Sequence, residues 1–367
     1  MNRFSSFLKR KNIIFSAKRY GIDAMGAIAQ GLFASLLVGT ILNTLGTQLH
    51  IGLLTQAVVT VGSGESAVSY TLGGLATAMA GPAMAASVGY ALQAPPLVLF
   101  TLIPVGFAAN ALGGSGGPLA VLAVAIVASE AGKAVSKETK VDILVTPVVT
   151  LFVGAGLAWL IAAPIGTAAA WVGKLIMWAT ELQPFLMGVI VSVVMGIALT
   201  LPISSAAICA GFGLVGLAGG AAVAGCCAQM VGFAVMSFKE NRWGGLVSQG
   251  LGTSMLQMGN IVKNPFIWLP PILASAVTGP VATCLFKLEM NGAAVNSGMG
   301  TCGLCGPIGV WTGWMNDAAS GARGAVTAFD WAGLILVAIV LPAVLTPLFA
   351  IPLRKLGKIK DGDLKLD

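Results

Sequence analysis

Apolar residues in this chain come in runs of about twenty, punctuated by glycine, proline or short charged clusters. An α-helix needs roughly 20 apolar residues to cross a bilayer core. The runs predict a first span over 24–45, a short apolar piece at 51–61, and spans over 70–92, 95–112 and 118–131. A basic stretch, Lys133 to Lys140, follows. Beyond it come a span over 143–163 and an interfacial helix over 168–183, where Trp171, Lys174, Trp178 and Glu181 suit a membrane surface. Residues 184–201, 265–286 and 331–351 read as further spans.

Three stretches of the second half break this pattern. Residues 204–238 are interrupted by Gly211, Gly213, Gly216, Gly219 and Gly220, which fits a hairpin dipping into the membrane or two short crossings. Residues 244–262 and 290–310 set Gly, Ser, Thr, Gln and Asn in an apolar frame. Irregular backbone at membrane depth is tolerated only inside protein or along a wet cavity, so a binding cavity is expected there. The expected fold is an all-α polytopic membrane protein with eight to ten transmembrane helices plus re-entrant hairpins. Its parts are a basic amphipathic segment (1–22), a scaffold and dimerisation half (23–182), a transport half (183–353) and a basic tail (354–367).

Composition narrows the class. Charged residues are 9% of the chain against 57% hydrophobic, where a soluble domain spends about a quarter on charge. No charged residue occurs over 66–129 or 182–238. That excludes a soluble enzyme, a nucleic-acid binder and a disordered chain. The net charge of +7 is concentrated at the ends: of 20 basic residues, six lie in the first 19 positions and five in the last 14. Basic flanks stay on the cytoplasmic side, so both termini are expected there, with an even number of crossings. The apolar region begins only near Ala24 and more spans follow, unlike a cleavable signal peptide. Phe4, Phe7, Leu8, Ile14 and Phe15 among the first cations suggest a helix lying on the inner membrane surface, the other reading being a disordered basic tail.

Candidate chemistry lies in three polar clusters of the second half. In Leu201-Pro-Ile-Ser204-Ser205, the serines either cap backbone freed by the proline or bind a ligand. The run from Gly252 to Pro265 carries Thr253, Ser254, Gln257, Asn260 and Asn264. Unpaired polar groups are costly in lipid, so these line something polar or bond between helices. The third cluster holds Glu289, Asn291 and Asn296. Glu289 is either an intramembrane functional carboxylate or the interfacial partner of Lys287. The six cysteines, including Cys302 and Cys305, read as small packing residues. Glu65 fits a solvated loop, and Glu130 with Lys133 an ordinary i,i+3 pair. Neither a metal nor a cofactor site is expected, and no self-contained catalytic site is present.

The stretch Asn260-Ile-Val-Lys-Asn264-Pro265-Phe-Ile-Trp-Leu-Pro270-Pro271 resembles the motif after the second re-entrant hairpin in membrane (IIC) subunits of the bacterial sugar phosphotransferase system. Leu201-Pro-Ile-Ser-Ser205 and Gly298-Met-Gly-Thr301 are similar to the divergent branch that includes the perfringolysin O regulator-like proteins. The resemblance implies a homodimer in the bacterial inner membrane whose second half moves a sugar by alternating access. Separate IIB and IIA phosphocarriers would supply phosphate derived from phosphoenolpyruvate. The chain would then be at most the membrane subunit of an enzyme complex. It departs from the family at two informative positions. The second half has no histidine, and Thr253 and Ser254 stand where the Glu-Pro of a family Asn-Glu-Pro sequence would be. Either Ser204, Ser205, Thr253, Gln257, Asn260 or Glu289 substitutes, or the ligand is not a typical sugar. The competing readings are a phosphate-independent secondary transporter using Glu289, and a membrane sensor that keeps a transporter fold.

Overall fold

Apolar helices make up most of the computed structural model, which describes residues 3–63 and 67–366. Two units are distinguished, Met1–Ala168 and Ala169–Asp367. The expected junction near Leu182 falls just past the helix that contains this division. Glu65 lies outside the described residues.

In the first unit, helix α1 (Arg3–Arg10) is followed by α2 (Arg19–Thr47), which contains two π turns. The apolar piece at 51–61 is not a membrane segment. After one helical turn, strand β1 (Ala57–Val61) pairs antiparallel with β2 (Val68–Thr71), with Val61 opposite Val68 and Thr60 opposite Ser69. Val58, Val59, Thr60 and Val61 favour the pleated backbone, and their exposure explains why no helix forms there to bury them. Helices α3 (Leu72–Ala78) and α4 (Ala80–Ala91) form one span bent by 53°.

The 40-residue apolar stretch Pro96–Val135 is a helical hairpin of α5 (Pro96–Gly113) and α6 (Gly117–Val135). The chain reverses at Gly114, whose φ of +51° suits glycine. A Cβ on Gly132, late in α6, would sit 2.8 Å from Val98, early in α5, so the two run antiparallel. Helix α7 (Asp142–Thr180) corrects one expectation: the interfacial helix at 168–183 is not separate but continues the preceding span. Pro164 sits inside α7 without ending it, and the alanine-rich stretch beyond carries the helix on.

The second unit is arranged around α10. Helix α8 (Pro184–Thr200) leads through a break to the short α9 (Ser205–Phe212), and then to α10 (Gly216–Met236). Gly196 of α8 lies against Gly225 and Gln229 of α10, and Thr200 reaches Gln229, so these helices run parallel. The chain must therefore travel back from the level of Gln229 to Gly216, about 20 Å at 1.5 Å per helical residue. Residues 201–215 make that return as a broken arm. In place of a dipping hairpin or two short crossings, the eight-residue α9 precedes the 21-residue span α10.

Helix α11 (Phe238–Val247) and an irregular segment lead to α12 (Met258–Lys263). Helix α13 (Leu269–Pro280), the centre of the span Pro265–Leu285, runs against α10, with Trp268 bonded to Gln229 and Thr278 to Ala224. After a second irregular segment come α14 (Cys305–Ala319) and the long α15 (Ala328–Lys355).

Length and apolarity alone pick out six spans, or seven with the bent pair. Counting α5 and α6 separately adds one, and α8 is a shorter apolar helix of 17 residues. The protein is an all-α polytopic membrane protein.

Glycine permits the central packing. A Cβ on Gly225 would collide with the backbone of Ser192 on α8, and one on Gly279 with Gly188. Close backbone approach of this kind is how helices associate where no water drives them together. Ser192 then donates to the carbonyl of Ser275 at 2.7 Å.

Candidate functional site

Two interrupted segments flank α10 from opposite ends. The first begins beside Ser237, where Gln249 donates to the Ser237 hydroxyl at 2.8 Å. It runs through a π turn (Ser248–Gly252), extended Thr253 and a 3-10 turn (Ser254–Gln257) before α12. Ser254 bonds Thr200 at 2.8 Å, and Thr200 bonds Gln229, so this segment reaches about ten ångströms along α10 from Met236. The second starts at the opposite end, where Gly216 and Met290 exchange backbone hydrogen bonds of 3.0 and 2.9 Å. It descends past Ser297, bonded to the Leu214 carbonyl, and Gly298, whose carbonyl accepts from Ser205 at 2.7 Å. Gly300 packs on Cys226, and Thr301 reaches Met230. Helix α14 then returns, with Gly313 against Asn291. The tips, Cys302–Leu304 and Ser248–Gly252, approach each other near the Gln229–Met230 level of α10.

The ten predicted residues divide into three groups along this axis. At the Met236 end, Gln257 and Asn260 are buried and bound to the C-terminal tail. Gln257 donates to Gln249 at 2.8 Å and to the Leu364 carbonyl at 2.9 Å, while Asn260 donates to Gln257 and to the Lys365 carbonyl, both at 2.8 Å. Asn264 caps the turn that opens at Pro265, accepting from the Phe266 N–H. Its amide also donates to the Lys358 carbonyl and to Asp363. The tail itself is anchored by buried Ile359 and Leu364 and by the Lys239–Asp361 pair at 2.6 Å. That pair, together with Arg354, holds the Asp361 carboxyl below its usual range.

Around the middle lie Ser204, Ser205, Thr253 and Ser254, while Asn296 lies against Gly309 nearer the Gly216 end, next to Ser297, which meets Gly219. Ser204 is an N-cap, accepting from the Ala207 N–H, and Thr253 caps the Ser254–Gln257 turn in the same way. Ser205 and Ser254 tie neighbouring segments together. Asn296 is 9% exposed, and its amide, not sealed from solvent, has no protein partner among the described residues, so it is open to a ligand in a way the other nine are not.

At the Gly216 end, Glu289 and Asn291 face a cavity of about 400 Å³ with Lys287, Asp317 and Arg323. Asn291 donates to Asp317 at 2.8 Å and accepts from the Gly216 N–H at 3.1 Å. Glu289 is exposed and lies at a segment mouth rather than at the meeting of the tips. Of the cysteines, Cys209, Cys226, Cys227, Cys302 and Cys305 are buried, in keeping with the packing role expected of them.

The centre contains residues that the sequence reading passed over. Gln229, fully buried in α10, accepts from Trp268 at 3.0 Å and from Thr200 at 3.3 Å, and its amide reaches Ser275 at 3.5 Å. A lone glutamine within a long uncharged run was the available signal. Gln249 and Thr200 carried no comparable mark.

Interrupted segments that enter from opposite ends and meet beside a central helix are the architecture of a membrane transport protein. Within that class the family can be stated. The family model described as "Phosphotransferase system, EIIC" matches residues 22–366, and the chain belongs to that family. It is a permease component of a phosphotransferase system. No curated protein and no solved structure matches the chain.

Proposed function

We propose that the chain carries a polar small molecule, of carbohydrate type, across the bacterial inner membrane by alternating access, for phosphorylation by separate IIB and IIA carriers. The observation that carries this reading is the meeting of two irregular polar segments at the Gln229–Met230 level, with the open Asn296 amide farther along the second segment toward the Gly216 end. Broken segments of this kind expose backbone donors and acceptors to a substrate near the membrane midplane. Ser205, Thr253, Ser254 and Asn296 are the proposed ligand-facing residues when the segments part. Gln257, Asn260 and Asn264 serve the inner mouth, and Glu289 and Asn291 the outer one. Neither the histidine nor the Glu-Pro pair usual in such subunits is present at the matching positions, so hydroxyls and amides take the recognition role.

The basic ends support cytoplasmic termini. A homodimer, held through the first unit, completes the proposal. The test is uptake of labelled sugars by cells or proteoliposomes holding the full chain together with IIA and IIB proteins encoded beside it. Accumulation of sugar phosphate that Asn296→Ala reduces at least tenfold supports the reading, since loss of a well-placed bond in a polar site costs on the order of 1.5 kcal/mol or more. Accumulation that Asn296→Ala leaves intact removes Asn296 from the site. No accumulation of any sugar removes the carbohydrate assignment.

A further inference from the structure

A second polar cavity lies in the first unit. It encloses about 420 Å³ and is lined by Arg10, Lys11, Gln93, Lys133, Lys137 and Glu138 among others. Four cations therefore face one carboxylate. Their framework is built. Asn12, with φ of +53°, donates to Gln93 at 2.6 Å, and Lys133, 2% exposed, donates to the carbonyls of Asn12 and Leu92 at 2.9 and 3.1 Å. Arg19 closes the floor, bonding Asn12 at 3.1 Å and the Leu92 carbonyl.

Charge pairing inside the cavity is incomplete. Glu130 serves Lys133 at 2.8 Å, and Glu138 is shared between Arg10, at 2.7 Å, and Lys11. Lys137 forms no ion pair among the described residues, though Asp142, which accepts its backbone N–H, also attracts Lys137 and Lys11, leaving one positive charge in excess among Arg10, Lys11, Lys133 and Lys137. Like charges gathered in one concavity repel unless an anion joins them.

The surroundings say where that anion comes from. Ile14 and Phe15, just beyond α1, are 51% and 73% exposed, and Ile143 and Leu144, just beyond the basic loop, are 72% and 64% exposed. Side chains of this kind on both flanks are suited to acyl chains rather than water. Helix α1 carries the same mixture, with Phe7 under the charges of Arg10 and Lys11. The cavity thus stands at headgroup level, cations inward and apolar residues on its flanks.

We infer that this cavity binds the phosphate of an anionic phospholipid headgroup, whose acyl chains lie over Phe15, Ile143 and Leu144. Recognition is by phosphate charge, which a free phosphate would share. The apolar flanks favour the lipid as its source.

The full chain, delipidated in neutral detergent, is titrated with phosphatidylglycerol, phosphatidylcholine and inorganic phosphate, and retention is read by native mass spectrometry. Phosphatidylglycerol is expected to bind about tenfold more tightly than phosphatidylcholine, from the attraction per basic residue near an anionic lipid surface. The variant Arg10→Gln/Lys137→Gln changes only exposed side chains and should lose most of that preference. Lys360→Gln/Lys365→Gln, an equal charge loss in the tail, should keep it. Glu138→Gln removes the competing carboxylate and should strengthen phosphatidylglycerol binding. The inference is overturned if the two lipids bind alike, if both double variants lose the preference equally, if Glu138→Gln weakens binding, or if inorganic phosphate at equal concentration binds as well as the lipid.

Discussion

Replacing Asn260 by alanine is the sharpest test of how the tail is held. The Asn260 amide is the donor for two acceptors at 2.8 Å, Oε1 of fully buried Gln257 and the carbonyl of Lys365. The Gln257 oxygen has no route to water, so losing its donor costs about 1–3 kcal/mol. The Lys365 carbonyl is near the surface, and water replaces most of what it loses, leaving about 0.5–1 kcal/mol. The variant should therefore loosen the tail by roughly 1.5–4 kcal/mol, which is about a tenfold or greater rise in its opening constant at 1.4 kcal/mol per decade. The comparison is Asn264→Ala. Its bond to Lys358 is exposed, and its bond to Asp363 only partly buried, so the cost stays near 1 kcal/mol. Hydrogen exchange at the Leu366 N–H, which bonds Asn241 at 2.8 Å, reports the opening. Equal exchange in the two variants, or unchanged exchange in Asn260→Ala, would refute the view that the buried amides hold the tail.

Three further outcomes follow from the geometry. Gly225→Ala places a methyl group against the Ser192 backbone and should cost about 1–3 kcal/mol in detergent unfolding, with reduced uptake; wild-type stability would show that α8 and α10 pack less closely than described. Asp361 titrates below its ordinary value of 3.8 because Lys239 and then Arg354 favour its charged form. Its contribution to tail docking is therefore full above that value and is lost as pH falls through the lower folded-state value. Limited proteolysis of the tail should rise on acidification, and Asp361→Asn should abolish that rise. Glu289→Gln should leave sugar uptake unchanged, because the carboxylate is exposed at a segment mouth; loss of gradient-driven uptake would instead favour a proton- or cation-coupled transporter.

Particular residues show how far the sequence could be read. Asn264-Pro265 was legible as part of a polar run and a family-like motif, while its role as an asparagine cap ahead of proline, a local device, came from the structure. The serines after Pro202 were legible as caps or ligands, but not which serine did which. Ser204 turned out to be a cap and Ser205 a link to Gly298, and only the fold puts residue 298 beside it. The β-hairpin was missed because an apolar run of eleven residues carries no helix-or-strand period that decides its form. The continuous α7 was misread because a tryptophan-flanked segment after Pro164 looks interfacial whether or not the helix breaks.

Sequence alone determined the solvent and the class. With 9% charge, segregated at the ends and in short loops, no arrangement of this chain could cover itself in water. It also marked the three stretches where glycine and amides interrupt the apolar pattern. Tertiary structure decided what those stretches do. Whether a buried amide binds a ligand, a tail or a neighbouring helix depends on which acceptor lies within 3 Å, and that acceptor comes from residues up to 107 positions away, as with Gln257 and Leu364. Hydrogen-bond reach is short and chain separation is long, so only the folded protein could divide the ten candidates between a latch at the Met236 end, a central group and a mouth at the Gly216 end.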